Sequence, residues 1–586
     1  MNILITGSKG FIGKELSKYF VEKHNVIATD RTTLDPAKYE SVKRFFDNNE
    51  VDVVIHAAVK GGKRGHQESI EDLYENLIMF ENLSKFSNRY KAMFNFGSGA
   101  EFDRRMDISI AKERQIDSRL PMDYYGLAKN LITRKINNLD SNIYNEKLEQ
   151  ILDLVSEYVN EKDDSWKAGE DWVSYSGPQF DDKEYRAAIE VLLSGWLIFG
   201  EKSREFEKKF SSHLGKSHGS LTNSGSSANL LAVSALRSKN GFNLPEGSKI
   251  ITPVVCFPTT INPIIQNGFE PVFVDVTLPD LNLDLDQVES ILESDPDIRG
   301  IMFAHVLGNP PDMDRLMSLI EKHELIFVED ACDALGSFYD GKKLGSFGDI
   351  STCSFFPAHH MTMGEGGFVA TSNVRIDKAI TSIRDWGRAC YCNTAKPGNV
   401  TGGTACGDRF KNWLTGMPEA VYDHRYVFDE IGYNLKPLDL QAAMGLQQLD
   451  KLPDFDSARR RNFARLHDIF KPYEQYLHLP EANEKADPCW FAFLMTVKEG
   501  APFERGDIVS HFEKNKVQTR SYFAGNILAH PGYNHLAEPY GNLGDMFPVA
   551  KIVTFNSFFL GTFIGLTEEK LDYIQSVADS FFGDIA

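Results

Sequence analysis

SFFPAHHMTMGEGG, residues 354–367, is an apolar strand that runs into two adjacent histidines and then a glycine-rich turn. No lysine occurs between Lys343 and Lys378, so a ligand held by this loop meets imidazole where a catalytic amine would be expected. Just upstream, LIFVEDACDALGS (325–337) is an apolar strand that ends in Glu329 and Asp330. CFPTT (256–260) puts Phe257 at another strand end, and TNSGSSANLLAVSAL (222–236) opens an apolar-periodic helix with Ser224, Gly225, Ser226 and Ser227. Unpaired N–H groups and hydroxyls at a helix start suit a phosphate, although serine there is also an ordinary cap. Around these pieces KIITPVVCF, FEPVFVDV, IRGIMFAHV and GFVATS alternate with helical patterns, which predicts a parallel sheet layered with helices.

The chain has 586 residues, a length that suits three to four domains, and 42% hydrophobic content supplies several cores. A net charge of −20 excludes a nucleic-acid surface as the leading reading, since phosphate backbones need clustered Lys and Arg. No apolar signal core and no 18-residue apolar run is present, so a cytoplasmic protein with no membrane partner is expected. Seven cysteines spread over this length suit reduced thiols or ligands better than a disulfide framework. Boundaries are expected at 1–137, 138–177 (a linker and helix), 178–435 and 436–586. The polar stretch NNLDSN (137–142) separates the first block, and the charged run EKDDSWKAGED (161–171) reads as a solvated connector.

In the first block, TGSKGFIG places Gly7, Gly10 and Gly13 between an apolar strand and a helix, and Asp30 ends the next strand. This is the arrangement that cradles a pyrophosphate and binds a ribose. With HAA (56–58) and the spacing Tyr125-x-x-x-Lys129, the block resembles extended short-chain dehydrogenase/reductases, the nucleotide-sugar epimerases and dehydratases. The resemblance implies a Rossmann-like doubly wound domain that holds NAD(P), with Tyr125 as acid/base and Lys129 lowering its pKa. Two departures stand out. The family's Ser/Thr falls at Gly99, with Ser98 one place early, and the pattern ends soon after Lys129. A degenerate or purely structural module therefore remains as good a reading as an oxidoreductase.

From 178 onward, order and spacing resemble the sugar branch of fold-type I pyridoxal phosphate enzymes, the DegT/DnrJ/EryC1/StrS family. The resemblance implies an aspartate aminotransferase-like large domain and a small C-terminal α/β domain. It implies that Gly225, Ser226, Ser227 and Ser354 surround the cofactor phosphate, that Phe257 stacks on the ring and that Asp330 pairs with the pyridine nitrogen. Asn434 in GYNLKPLDLQAA would reach the phosphate of a neighbouring subunit, which implies a homodimer. His359 fills the position of the family's Schiff-base lysine. Imidazole forms no imine but moves protons near neutral pH, and this substitution marks the sugar 3-dehydratases that work with pyridoxamine phosphate. Arg520 and Asn526 in TRSYFAGN match positions that face the nucleotide-sugar.

Cys332, Cys390, Cys392 and Cys406 are the remaining cluster. By their chemistry alone, four thiolates suit zinc or an iron–sulfur centre. The C-x57-C-x-C spacing resembles the iron–sulfur 3-dehydratases of the family, with a longer gap from Cys392 to Cys406. That resemblance implies a [2Fe–2S] cluster, electrons from a separate NAD(P)H-dependent reductase, and a CDP-4-keto-6-deoxyhexose as substrate, on the route to 3,6-dideoxyhexoses of O-antigen. A cluster-free, colitose-type dehydratase and a non-catalytic nucleotide-sugar-binding protein are the alternatives. Cys256, Cys353 and Cys489 lie in apolar contexts and are expected to be buried thiols.

Overall fold

Short apolar runs at the start of the chain pair in parallel as expected: β1 (Asn2–Thr6) lies between β2 (Asn25–Thr29) and β3 (Val53–His56), with β4 (Ala92–Asn95) beyond β3. In this computed structural model the described residues are all except 62–67, 97–120, 122, 163–164, 390–408, 584 and 586; for 136–146 only the helical backbone is described. Side chains alternate across the sheet. Leu4 and Val54 meet Phe46 of α2 (Tyr39–Asn48) on one face, while Ile3, Ile5 and Ile55 pack on the other. The helices α1 (Phe11–Val21) and α3 (Ile70–Ser84) follow β1 and β3.

A single helix, α4, runs from Tyr124 to Asn160, so NNLDSN lies inside a helix and not between elements. Polar residues carry no helix stop unless glycine or proline accompanies them, and none occurs there. The chain divides into compact units at Ile151/Leu152. The run 161–171 is also more than a solvated connector. Trp166 packs edge-on against Tyr573 at 5.6 Å, and Val173 bridges to Val517.

The second unit is built on a seven-stranded sheet. Strands β6 (Lys249–Pro253), β7 (Glu270–Val274), β8 (Ile298–Ala304), β9 (Ile326–Asp330) and Ile350–Ser354 are parallel to their neighbours, whereas Gly367–Thr371 runs antiparallel between Ile350–Ser354 and β5 (His218–Thr222). Both faces are covered, which explains the near-continuous apolar runs. Ile251, Phe303, Phe327 and Phe368 enter one core, and Ile250, Met302, Val328 and Val369 enter the other. A four-stranded antiparallel sheet forms the C-terminal part, in the order Leu477–His478, Ala492–Val497, Ser557–Gly561, Arg520–Ser521.

The charged end of β9 serves two purposes. Glu329 is fully buried and accepts from His305 Nε2 (3.0 Å) and from the backbone N–H groups of Gly345, Phe347 and Gly348 (2.5–2.8 Å). It clamps the turn after residue 343 to the sheet, and its hydrogen bonds hold its pKa below the usual carboxylate value despite burial. The next residue, Asp330, belongs to the cavity described below.

Candidate active site

The carboxyl ends of the parallel strands open into a cavity of about 760 Å³, the expected place for a ligand in such a sheet. One end is the N-terminus of α7 (Gly225–Arg237). Ser224 caps it, its Oγ accepting from Ser227 N–H at 3.1 Å. Gly225 is needed for space. A Cβ there would stand 2.4 Å from Ser354 Cβ and 2.6 Å from its Oγ. The absence of that carbon lets strand Ile350–Ser354 deliver the Ser354 hydroxyl beside the helix start. Ser224, Gly225, Ser226 and Ser354 all line the cavity; Ser227 turns its hydroxyl to Ser224 Oγ at 3.0 Å.

Asp330 sits on the floor with only 3% of its surface exposed. Its Oδ2 accepts from Asn229 Nδ2 (2.8 Å) and Thr260 Oγ1 (3.0 Å), and its Oδ1 accepts from Cys332 N–H (3.2 Å). Asn229 is itself held by Thr352 Oγ1 at 2.6 Å. Three donors from three elements fix the carboxylate plane. Phe257, at the start of helix α8 (Pro258–Gln266), is half exposed at the mouth and meets Phe523 edge-on at 5.7 Å.

His359 lines the same cavity. Its Nδ1 lies 3.4 Å from Asp333 Oδ1, an ion-pair distance without an aligned hydrogen bond, and its backbone carbonyl accepts from Arg459 Nη2 at 3.1 Å. Burial raises the Asp333 pKa, an effect that His359 opposes. His360, the second histidine of the opening motif, is buried and outside the cavity lining; its Nε2 donates to Cys489 O at 2.7 Å. Burial and the nearby Arg459 hold its pKa well below the usual histidine value. Among the described residues no lysine lines the cavity.

The geometry fits pyridoxamine phosphate. A helix N-terminus and hydroxyls wait for a phosphate, a buried carboxylate for a ring nitrogen, an aromatic for the ring face and an imidazole for proton transfer. Cys332 borders the cavity as well, and burial beside Asp330 pushes its thiol pKa well up. A ligand role requires a metal to draw off that proton. Cys390, Cys392 and Cys406 lie outside the described residues; among the described residues no group of three or more His, Cys, Asp or Glu is placed to hold a metal ion.

Arg520 lines the mouth with its guanidinium 4.4 Å from the centre of the Tyr175 ring. Asn526 is buried, caps a turn by accepting from Leu528 N–H at 3.0 Å, and is outside the lining. Asn434 is exposed and outside the lining too, next to Leu435, whose carbonyl accepts from Asn223 N–H at 2.8 Å. Cys256, Cys353 and Cys489 are buried as expected, and Cys256 also borders the cavity. Sequence reasoning missed Tyr175, Asp333 and Tyr522. Asp333, three residues after Asp330 on the same strand exit, carried the only legible signal.

In the first unit, Gly7 takes a left-handed φ of +69° where a Cβ would meet Ala58 Cα at 2.6 Å, so HAA packs against the glycine turn. Gly10 N–H donates to Gly7 O at 2.9 Å, and Gly13 opens toward the same carbonyl. Asp30 accepts from Thr32 N–H (2.9 Å) and Oγ1 (2.6 Å) and pairs with Lys9, which holds its pKa far below the usual range. Lys129 is buried and donates to Phe96 O at 2.7 Å. The Tyr125 N–H donates to Glu68 Oε2 at 3.0 Å. Ser98 and Gly99 lie outside the described residues.

Comparison with known proteins agrees with this geometry. The profile of the DegT/DnrJ/EryC1/StrS aminotransferase family matches residues 178–578, and that of the NAD dependent epimerase/dehydratase family matches 3–142. The lipopolysaccharide biosynthesis protein RfbH of Salmonella typhimurium is 42% identical over 443 residues, 75% of this chain and 99% of that one. A dTDP-4-dehydro-2,6-dideoxy-D-glucose 3-dehydratase of Saccharopolyspora spinosa is 41% identical over 74% of this chain and 91% of its own. Among solved structures, the E. coli GDP-4-keto-6-deoxy-D-mannose-3-dehydratase with bound hydrated PLP superposes with a TM-score of 0.59 at 28% identity, covering 69% of this chain and 98% of that one.

Proposed function

Because the chain belongs to the DegT/DnrJ/EryC1/StrS aminotransferase family, with an epimerase/dehydratase-type α/β unit in front of it, we propose that it removes the C3 hydroxyl of a nucleotide-linked 4-keto-6-deoxyhexose. The observation that carries this is His359 on the wall of a cavity that is also lined by Gly225, Ser226, Phe257, Asp330 and Ser354 and, among the described residues, by no lysine. Bound pyridoxamine phosphate supplies an amine for the 4-keto group and a ring that accepts electrons. The chain's own residues do the rest. Gly225, Ser226 and Ser354 would hold the phosphate, with Ser227 bracing Ser224 beside it, Phe257 would cover the ring, and Asp330 would keep its nitrogen protonated. His359, its Nδ1 3.4 Å from Asp333, would take the proton released at the cofactor's C4′ carbon on Nε2 and deliver it to the departing oxygen, which leaves as water. A placed base of this kind contributes about 100- to 10,000-fold in rate.

The finer reading is a CDP-linked substrate and a [2Fe–2S] cluster on Cys332, Cys390, Cys392 and Cys406, fed by a separate NAD(P)H-dependent reductase. Arg520 and Asn526 would serve the nucleotide-sugar, and Asn434 would complete the phosphate site of a second copy in a homodimer. The first unit would hold NAD(P) through Gly7, Gly10, Gly13, Asp30, Tyr125 and Lys129, in a protein of the cytoplasm. Boundaries near 177 and 435 follow from the same reading.

The test is an absorbance spectrum of anaerobically purified protein with iron and acid-labile sulfide analysis, followed by turnover of CDP-4-keto-6-deoxyglucose. Cofactor absorbance, two irons per chain and loss of the 3-hydroxyl are expected. Turnover without iron leaves the cluster-free dehydratase; no loss of the hydroxyl refutes the activity.

A further inference from the structure

Resting on that reading, we propose that Tyr522 is the cavity's recognition group for the oxygen to be removed: its phenolic O–H donates a hydrogen bond to the C3 hydroxyl of the sugar. The stretch TRSYFAGN builds this residue into place. Arg520 and Ser521 pair with Phe559 and Phe558 as an edge strand. The chain then reverses in a tight turn closed by Gly525 N–H donating to Tyr522 O at 2.9 Å, with Phe523 at φ +39°. A phenylalanine in left-handed backbone is strained and persists only where its surroundings over-determine it.

Those surroundings are plain. Asn526 N–H donates to Thr554 Oγ1 at 2.8 Å, Ile527 N–H donates to Val254 O at 3.0 Å, and Asn526 bridges to Val255. The turn is thereby pinned to the segment just ahead of Phe257. Tyr522 ends up 4% exposed on the cavity wall. A tyrosine so deeply buried ordinarily finds a hydrogen-bond partner. Among the described residues the Tyr522 hydroxyl has no hydrogen-bond partner and its oxygen is not sealed from the cavity, so it is open to bond what enters.

Position says which part of the ligand that is. Tyr522 lines the cavity together with Asp333 and His359 and shares an apolar cluster with Ala358 and Phe491, and Phe491 lies 5.5 Å from the His359 ring. The phenol therefore shares the wall of the proton-transferring imidazole. Ser226 and Ser354 mark the phosphate end, and Arg520 and Phe257 mark the mouth. A donor on the His359 wall meets the reacting end of the sugar. In the step itself the C3–O bond breaks and its electron pair leaves with oxygen. The pair left by the C4′ proton that His359 removed replaces it toward C3 as a new π bond, and that same proton, delivered by His359, completes water. Tyr522 keeps its own proton throughout and orients the leaving oxygen.

The experiment uses the full chain with His359→Asn, loaded with pyridoxamine phosphate, so that ligands bind without turnover. CDP-4-keto-6-deoxyglucose and its 3-deoxy counterpart are titrated with and without Tyr522→Phe. The expected result is about a tenfold loss of affinity for the 3-hydroxy ligand, the worth of one hydrogen bond, with the 3-deoxy ligand within twofold. Equal losses for both ligands, or no loss for either, overturn the proposal. If the phenylalanine variant does not fold, 3-fluorotyrosine at 522 keeps the shape and strengthens the donor. Tighter binding of the 3-hydroxy ligand alone is then expected, and unchanged binding overturns it. A protein with His359 and Tyr522 intact that removes no C3 hydroxyl refutes the activity; one that turns over while Tyr522→Phe shows no ligand preference refutes only this assignment.

Discussion

Gly225→Ala tests how the phosphate end of the cavity is made. In an ordinary helix this change is favourable by about 0.8–1.0 kcal/mol, because alanine loses less backbone entropy than glycine. Here the new Cβ would stand 2.4 Å from Ser354 Cβ and 3.1 Å from Ser354 Cα. Ser354 lies at the end of a strand whose five residues are all buried, so it has no room to retreat. The start of α7 must move out by roughly an ångström, a kind of overpacking that costs about 1–3 kcal/mol. The clash outweighs the propensity, and the net change is destabilising by up to about 2 kcal/mol. Moving the helix start also withdraws its N–H groups from a bound phosphate. Each charge-assisted hydrogen bond lost is worth about 1.5–3 kcal/mol, or about tenfold to a hundredfold in affinity. Thermal melting and absorbance titration with pyridoxal phosphate measure both effects. In a Ser354→Gly background the nearest obstructing atoms are gone and only the 3.1 Å approach to the backbone Cα remains, so the same substitution should cost much less, a difference that a double-mutant cycle reads directly. A Gly225→Ala protein that melts higher and binds the cofactor as tightly as the parent, with Ser354 intact, refutes the reasoning.

Replacing His359 by Asn should abolish exchange of the cofactor's C4′ protons with solvent while leaving cofactor binding within a few-fold; exchange at the parental rate would assign the base to another residue. Glu329→Gln removes the charge from a fully buried acceptor of three backbone N–H groups and His305, so a loss of about 3–5 kcal/mol is expected in denaturant melts; a loss under 1 kcal/mol would show that the clamp is dispensable. In the first unit, burial and Lys129 depress the pKa of His56 to about 3. The folded state then binds fewer protons than the unfolded one, so stability is complete above about pH 6.5 and falls as the pH drops toward 3, by up to about 4–5 kcal/mol. Acid melts monitored within residues 1–151 should lose this slope in His56→Gln, and an unchanged slope would place its origin elsewhere.

The alternation of short apolar runs with helices was enough to read both α/β units, because a strand buried on two faces must be apolar throughout. The order Ser226, Phe257, Asp330, Ser354, His359 was legible too, since each belongs to a strand end or helix start that local pattern marks. Local pattern failed where the deciding contact is distant in sequence. NNLDSN looked like a break, but it has no glycine or proline and lies within the single helix Tyr124–Asn160. Trp166 looked solvated until Tyr573, some four hundred residues later, covered it. That the Asn526 carboxamide caps a turn at Leu528 became visible only in the fold.

By itself, the amino-acid sequence set the class of chemistry to expect: an imidazole in place of an amine, with the phosphate and ring-nitrogen partners that its family resemblance implies, at strand ends and a helix start that local pattern marks. Tertiary structure alone decided that His360 turns away to Cys489 O, that Asp333 stands 3.4 Å from the His359 ring nitrogen, and that Tyr522 lines the same cavity. The physical reason is that strand pairing orders residues within one sheet, whereas cavity walls are closed by segments hundreds of residues apart, whose side-chain directions are set by packing and turn geometry that no local pattern encodes.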